Sequence, residues 1–298
     1  MPLSYPETNA EMYHPARRQP MDRPLPIVKA MSHPRAALAR DLARGVRERR
    51  AAGLFLVEGP RGLSEALDAG VRLAFALVAA GRADRSPARE IVARCRGAGI
   101  PVEWVQDALL ERIAPSEAPT GLLAACSLPA GCDDPAGVLA AAEGIVVLAV
   151  RIQNPGSIGA LVRSAAAFGA SGLLAVGGAD PWGPKAVRAS AGAIHRLPVA
   201  RADGMESDAA LRDALRCAAW RLIAAVPRGG LHPAAVDWSG RVALLLGAEV
   251  AGLSPDLVGR ADPVTIPMAR GVESLSVPVA GSILLAVAAG LPPAGPGR

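Results

Sequence analysis

Residues 144–178 read GIVVLAVRIQNPGSIGALVRSAAAFGASGLLAVGG. The run 144–150 is apolar at every position after its glycine. That suits a strand covered on both faces, not one alternating between core and water. Residues 158–170 (IGALVRSAAAFGA) read as a helix, and 172–178 (GLLAVGG) as a second buried strand. Strand, helix and strand in this order predict a crossover unit of a parallel sheet. Between the first strand and the helix lies Asn154-Pro155-Gly156-Ser157-Ile158-Gly159, with Arg163 one turn into the helix. Ligands of open α/β sheets bind outside the carboxyl ends of strands. Backbone N–H groups at such a helix start can face an anion.

The pattern continues on both sides. Toward the carboxyl end, 184–192 and 211–219 predict helices, while 220–227 (WRLIAAVP), 241–249 (RVALLLGAE) and 263–268 (PVTIPM) predict strands, and an uncharged helix closes the chain. Toward the amino end, 34–50 (PRAALARDLARGVRERR) predicts one Arg-studded helix. Residues 53–70 predict a strand, a turn at Gly59-Pro60 and a helix ending at Gly70. Strands at 73–81, 100–105 and 120–128 alternate with helices at 86–99 and 105–114. The expected organisation is a flexible tail at 1–30, a small α/β domain at 31–128, a linker at 129–143, a second α/β domain at 144–292 and a tail at 293–298. A chain of 298 residues is long enough for two domains.

Composition narrows the function classes. The chain is 51% hydrophobic and 20% charged, which excludes a wholly disordered protein. Aromatics are only 3%, so a base-stacking surface built on many rings is not expected. Residues 1–50 carry ten basic and five acidic residues and so hold the whole net charge of +5. Nearly all the basic residues are Arg, which suits bidentate phosphate contacts. An Arg-rich amino segment fits a polyanion such as RNA, and equally a solvated tail. Four cysteines without a CxxC pair and four scattered histidines predict no metal site. Few cysteines and no apolar leader predict a cytoplasmic protein. The apolar stretch 277–291 would span about 22 Å as a helix, against about 30 Å for a bilayer core, so a buried or interface helix is expected and no membrane. No phosphate-loop, dinucleotide, zinc-protease or nucleophile-elbow motif is present. His195 and His232 have no obvious nucleophile beside them and read as structural.

Two further strand ends carry unusual residues. Gly247-Ala248-Glu249-Val250-Ala251-Gly252-Leu253-Ser254 places a carboxylate in a glycine-flanked loop after an apolar strand. Ile266-Pro267-Met268 is followed by Gly271-Val272-Glu273-Ser274-Leu275-Ser276 and the apolar helix. Each loop alone could be a plain turn. In this order and spacing, with the loop at 154–159, they resemble the SpoU-type (TrmH-like) RNA ribose 2′-O-methyltransferases of the SPOUT class. The resemblance spans about 31–291. FLVEGPRGLSEAL and IAPSEAPTGLLAAC resemble that family's amino-terminal RNA-binding domain.

The resemblance implies a carboxy-terminal SPOUT domain with a parallel sheet and a trefoil knot, plus a smaller amino-terminal α/β RNA-binding domain. It implies S-adenosylmethionine as cofactor, held mainly by backbone groups around Ala225, Val226, Gly247, Glu249, Ile266, Met268 and Leu275. Arg163 matches the catalytic arginine, Glu249 the acid of the second motif and Ser274 a serine of the third. Homodimers are implied, with the active site near the interface and helix 277–290 packed there. The implied reaction is methyl transfer to a ribose 2′-hydroxyl of structured RNA, with ribosomal RNA favoured over tRNA. A guanidinium is normally protonated, so clamping a phosphate and orienting the hydroxyl is a plainer role for Arg163 than acting as a base. Arg35, Arg40, Arg44, Arg47, Arg49, Arg50 and Arg61 are the expected RNA contacts.

The chain departs from the family at the proposed centre. Ser157 and Ser276 stand where the family has Asn, and Pro278 where it often has a small hydroxyl residue. Ser has shorter reach than Asn and lacks its amide donor and carbonyl acceptor. An alternative reading is therefore a catalytically weak or inactive SPOUT paralogue that acts as an RNA-binding ribosome-assembly or regulatory factor.

Overall fold

The computed structural model describes residues 26–82, 87–217 and 219–291. The chain divides into two compact units. One comprises the part up to Ala130 with Trp182–Arg188; the other comprises Gly131–Pro181 and the part from Ala189 onward.

In the first unit, α1 (Pro34–Arg44), α2 (Val46–Ala52), β1 (Leu54–Glu58), α3 (Gly59–Asp68), β2 (Leu73–Ala79), α4 (Ala88–Gly97), β3 (Val102–Val105), α5 (Asp107–Ile113) and β4 (Leu122–Ser127) follow in order. The sheet order is β1-β4-β2-β3, with β4 antiparallel to both neighbours and β2 parallel to β3. The single helix expected over 34–50 is broken at Gly45, which is extended at φ −120°, ψ 135°. Glycine loses most backbone freedom in a helix, so a break falls there readily. The first 25 residues of the expected tail lie outside the described residues. Its end is not free: Val28 N–H donates to Trp104 O at 2.8 Å, and Val28 O accepts from Gln106 N–H at 2.9 Å. The tail expected at 293–298 also lies outside the described residues.

The second unit runs α6 (Pro135–Ala141), β5 (Ile145–Val150), α7 (Pro155–Ala167), β6 (Gly172–Val176), β7 (Val199–Arg201), α9 (Asp208–Cys217), β8 (Arg221–Ala225), β9 (Val242–Leu246), α10 (Pro255–Val258), β10 (Asp262–Val264) and α11 (Val277–Ala288); α8 (Pro184–Ala189) falls between β6 and β7, mostly in the segment that groups with the first unit. Its six-stranded sheet is parallel throughout, in the order β10-β8-β9-β5-β6-β7. Val146 to Val150 are all fully buried, as an apolar strand inside a covered parallel sheet must be.

Three expectations change. The stretch 129–143 is not a plain linker: α6 forms there, with the Asp134 side chain accepting from Gly137 N–H at 2.8 Å, and Leu139 is buried in the second unit's core. Asp before Pro is a helix start, and it precedes the Ala-rich run. The strand expected at 263–268 pairs only over Asp262–Val264, and Ile266 to Met268 turn away from the ladder. The helix expected at 184–192 ends at Ala189, because Ala191 (φ 49°) and Gly192 (φ 87°) are left-handed. Strand β7 went unpredicted.

What positions the site is the return of α11. It packs on α7, with Ser164 Oγ 2.6 Å from Ser282 Oγ, whose own hydroxyl donates to Pro278 O at 2.6 Å. A Cβ on Gly281 would lie 2.6 Å from Leu161 Cδ2 and 2.8 Å from Leu246 Cδ1. An added carbon would have to displace the ends of these two buried leucines. Gly281→Ala is expected to cost about 1–3 kcal/mol by overpacking, measured by urea denaturation. Leu161→Ala alone leaves a cavity and costs about 2–5 kcal/mol. Because the added carbon fills the space Leu161 vacates, the double mutant should lose clearly less than the sum; strict additivity would contradict this contact.

Candidate functional site

The carboxyl ends of β8, β9 and β10 open into one cavity of about 430 Å³, within the range of small-molecule sites. Ala225 and Val226 come from the end of β8, Gly247 and Glu249 from the turn after β9, and Ile266 and Met268 from the chain after β10. Ser274 and Leu275 come from the approach to α11. Leu246, Val277 and Leu284 complete an apolar wall.

Local backbone constraints shape each side. A Cβ on Gly247 would sit 2.3 Å from Gly252 C and 2.5 Å from Leu253 N, both backbone atoms that cannot swing aside. The loop closes through Gly252 N–H donating to Ala248 O at 2.9 Å, with Gly252 left-handed at φ 64°. On the β8 side, Val226 N–H donates to Val264 O at 2.9 Å and Leu231 N–H to Pro263 O at 2.8 Å. Thr265 Oγ1 accepts from Gly230 N–H at 2.9 Å and donates to Val226 O at 3.1 Å. The exit of β10 is thereby fixed between Val226 and Leu231.

The lining is mostly apolar, with charges at Arg228, Glu249 and Glu273. Among the described residues none of the three is in an ion pair. The backbone N–H groups of Ile266, Met268 and Leu275 likewise donate no hydrogen bond among the described residues. Together these leave donors, two carboxylates and a guanidinium for a ligand with an apolar body.

All seven residues expected to hold the cofactor line this cavity, and Ser274 joins them. Arg163, Ser157 and Ser276 do not line it. Arg163 is exposed on α7, and Ser157 lies in the first turn of that helix, which Asn154 caps by accepting from Gly156 N–H at 2.8 Å. Ser276 is the N-cap residue of α11 and makes no side-chain cap. Sequence reasoning passed over Arg228, although it follows a predicted strand, and Glu273, although it stands inside a quoted loop.

Of the seven arginines expected to meet RNA, Arg44, Arg47, Arg50 and Arg61 are exposed. Arg49 is corrected: it is buried, and its Nη1 donates to Leu42 O at 2.7 Å, holding α2 against α1. Nothing in the spacing of the run shows which of its arginines turns inward. Arg35 is half-buried, ion-paired with Glu103 and 5.9 Å over the Phe75 ring, and Arg40 pairs with Asp41. Cys95 and Cys126 are free thiols buried in the first unit. Burial pushes Cys95 up to about 11, against the opposing pull of Arg94, and raises Cys126 further. Neither is a nucleophile at neutral pH. Among the described residues no group of three or more His, Cys, Asp or Glu side chains could hold a metal ion, and no helix is long and apolar enough to cross a membrane.

Two stretches of the chain match known families. Residues 144–286 match the SpoU rRNA Methylase family, and 38–124 match the MRM3-like substrate binding domain. A 23S rRNA (uridine(2479)-2′-O)-methyltransferase of Streptomyces viridochromogenes is 33% identical over 242 residues, covering 80% of this chain and 83% of that protein. The crystal structure of the SpoU methyltransferase AviRb from the same organism, in complex with AdoMet, superposes with a TM-score of 0.75 at 31% identity, covering 86% of this chain and 97% of that one. An AdoMet-bound rRNA methyltransferase from Sinorhizobium meliloti gives 0.73 at 25% identity, over 89% and 97%.

Gly247→Ala tests the cavity's backbone directly. The added carbon meets backbone on two residues, so the 247–253 loop must leave its path at a cost of about 1–3 kcal/mol. Urea denaturation should show that loss, while Ala248→Gly changes stability by no more than about 1 kcal/mol. Equal stability of Gly247→Ala and the parent would refute the close approach.

Proposed function

We propose that this chain, which belongs to the SpoU rRNA methylase family, transfers a methyl group from S-adenosylmethionine to a ribose 2′-hydroxyl of ribosomal RNA. The observation that carries the reading is that Ala225, Val226, Gly247, Glu249, Ile266, Met268 and Leu275 line a single cavity at the sheet's carboxyl edge. The residues present fit the cofactor. Aliphatic side chains surround an apolar body, free backbone donors meet its polar edge, and Glu249 and Glu273 outnumber Arg228 opposite a ligand of net positive charge. When bound, the cofactor supplies an electrophilic methyl on a sulfonium, which needs no metal to activate it.

The chain's own residues provide position and charge. A 2′-hydroxyl is a weak nucleophile near neutral pH and must be oriented and lose its proton as the new bond forms. The carboxylates of Glu249 and Glu273 are the basic groups on the lining that can accept that proton. Arg163 is exposed on α7, and its role in this reading is to clamp the neighbouring phosphate and orient the ribose. Ser274 offers a hydroxyl at the cavity, while Ser157 and Ser276 act from outside it.

The reading extends to a homodimer. Val279, at 46% exposure, shares the outer stripe of α11 with Ile283 and Val287, and no charged residue interrupts that helix. Val250 is fully exposed beside the cavity and Val272 is half exposed, so the apolar surface continues there. A second subunit would bury this surface near helix α7, which carries Arg163 and Ser157. A knotted path is part of the reading too: Val264 pairs with Ala225 of β8 on one side and with Leu231 on the other, so β10 leaves between two passes of one connection. Cytoplasmic location is proposed from the free buried thiols, and rRNA as target from the relatives' activities.

Labelled methyl from S-adenosylmethionine should enter unmodified 23S rRNA in excess over tRNA and resist alkaline hydrolysis as a 2′-O-methyl linkage does. Arg163→Ala should lower the rate about 10²-fold or more. Absence of label from a folded protein that still binds RNA would overturn the enzyme reading in favour of an inactive paralogue. Ser157→Asn with Ser276→Asn would then be the variant to restore activity. The first unit's exposed arginines give a separate expectation. Reversing Arg44, Arg47 and Arg50 to Glu should weaken RNA binding and flatten the slope of log K against log salt by about 2. An unchanged slope would make them a solvated face.

A further inference from the structure

Strand β8 begins with Arg221 and ends with Ala225, which lines the cofactor cavity. At about 3.3 Å of rise per residue, roughly 13 Å of strand separates those two ends. At the Arg221 end lies a second cavity, of about 600 Å³. Four arginines from three parts of the second unit line it. Arg212 and Arg216 stand on α9, Arg221 opens β8, and Arg260 lies just before β10. Asp213 and Asp262 line it as well, so guanidinium groups outnumber carboxylates there.

The pairing of these arginines leaves donors over. Asp256 accepts from both Arg212 and Arg260, so one carboxylate serves two guanidinium groups. Arg216 meets Asp213 at 3.9 Å, an ion pair too long for a hydrogen bond. Arg221 is held in place by Asp237 at 3.2 Å and by Ser239 O at 3.1 Å. A guanidinium carries five N–H donors, and these contacts use a minority of those on the four side chains. Trp220, 6% exposed, lines the same cavity. The Arg241 guanidinium lies 4.7 Å over its ring, and its buried indole N–H has no acceptor among the described residues. An indole N–H can only donate, and a buried donor without an acceptor is costly. An anion rich in oxygen offers acceptors to the arginines and to the indole alike. Guanidinium forks suit phosphate best. Arg216 and Arg260 are exposed, so a ligand can run out of the cavity over them.

We infer that this cavity is an anion site for phosphates of the RNA backbone, a second hold on the substrate at the opposite end of the sheet from the methyl-transfer site. The phosphate site stands on the cavity itself; RNA as the source of the phosphate rests on the methyltransferase reading. Backbone phosphates carry no base identity, so the site sets affinity and register and not the choice of sequence.

The test uses the full chain and measures binding, not turnover. Arg216→Gln with Arg260→Gln leaves Asp256 paired to Arg212 and should keep the parent's urea midpoint. It should weaken binding to unmodified 23S rRNA about tenfold or more and flatten the slope of log K against log salt by about 1.5, as two lost phosphate contacts would. Asp262 is exposed and has no ion pair among the described residues, so Asp262→Asn should tighten RNA binding about twofold or more. Lys29→Gln with Arg89→Gln removes the same charge from exposed positions of the first unit and should change affinity less than about threefold. Affinity for S-adenosylmethionine, by calorimetry, should stay within about twofold in every variant, because the two cavities lie at opposite ends of β8. Unchanged RNA affinity and slope in the folded Arg216 and Arg260 variant, or an equal loss in the Lys29 and Arg89 control, would overturn the proposal. Inorganic pyrophosphate that binds the parent and not the Arg216 and Arg260 variant, with RNA binding unchanged, would assign the cavity to a free phosphate compound and overturn RNA as its occupant. RNA binding that responds as stated in a protein with no methyl transfer to any RNA would leave the site standing and defeat the methyltransferase reading instead.

Discussion

Everything at the site depends on how closely α11 returns to the sheet. The helix reaches α7 and Leu246 of β9 because Gly281 leaves no carbon in the way. That contact carries the chain from the edge strand β10 back across the ends of β8 and β9, and the cavity is the space enclosed on the way. A parallel sheet sets all its strand ends on one side, but it does not roof them. Here the roof is the segment from Ile266 to Leu275, and α11 carries the chain on from it to pack on α7.

The second constraint is backbone against backbone. Gly247 presses on Gly252 and Leu253, and Gly230 on Pro263 and Val264. These contacts leave no room for side chains on the strand-end loops and bring main-chain donors to the lining. Such a wall suits a ligand whose recognition rests on main-chain polar groups, with specificity refined by a few charges. Arg228, Glu249 and Glu273 are those charges, and their freedom from one another keeps them available.

The sequence made the strands of the second unit legible because a fully covered parallel strand has no polar position to hide it: IVVLAV, GLLAV and VALLL are apolar throughout. The three motif loops were legible because they stand directly after such strands. Strand order was not, since no residue in β9 says that it inserts between β5 and β8. Helix α6 was missed although Asp134-Pro135 announced it, because Ala-rich chain after turn formers reads equally as linker. Arg49 was misassigned because a run of arginines on a helix has no local mark for the one that points inward. The cavity residues were recovered through the resemblance, and the structure brought them together. Arg163, Ser157 and Ser276 were recovered as positions only, since their relation to the cavity depends on tertiary arrangement and on the apolar outer face of α11.

The central claim is that the ends of β8, β9 and β10, roofed by 266–275, hold S-adenosylmethionine. The most direct measurement is a crystal structure of the protein grown with that cofactor. The account predicts cofactor density between Val226, Gly247, Ile266 and Leu275, with main-chain N–H groups of the last two strand-end segments on its polar edge. Cofactor bound elsewhere on the chain, or no binding to a folded protein at millimolar concentration, would contradict it.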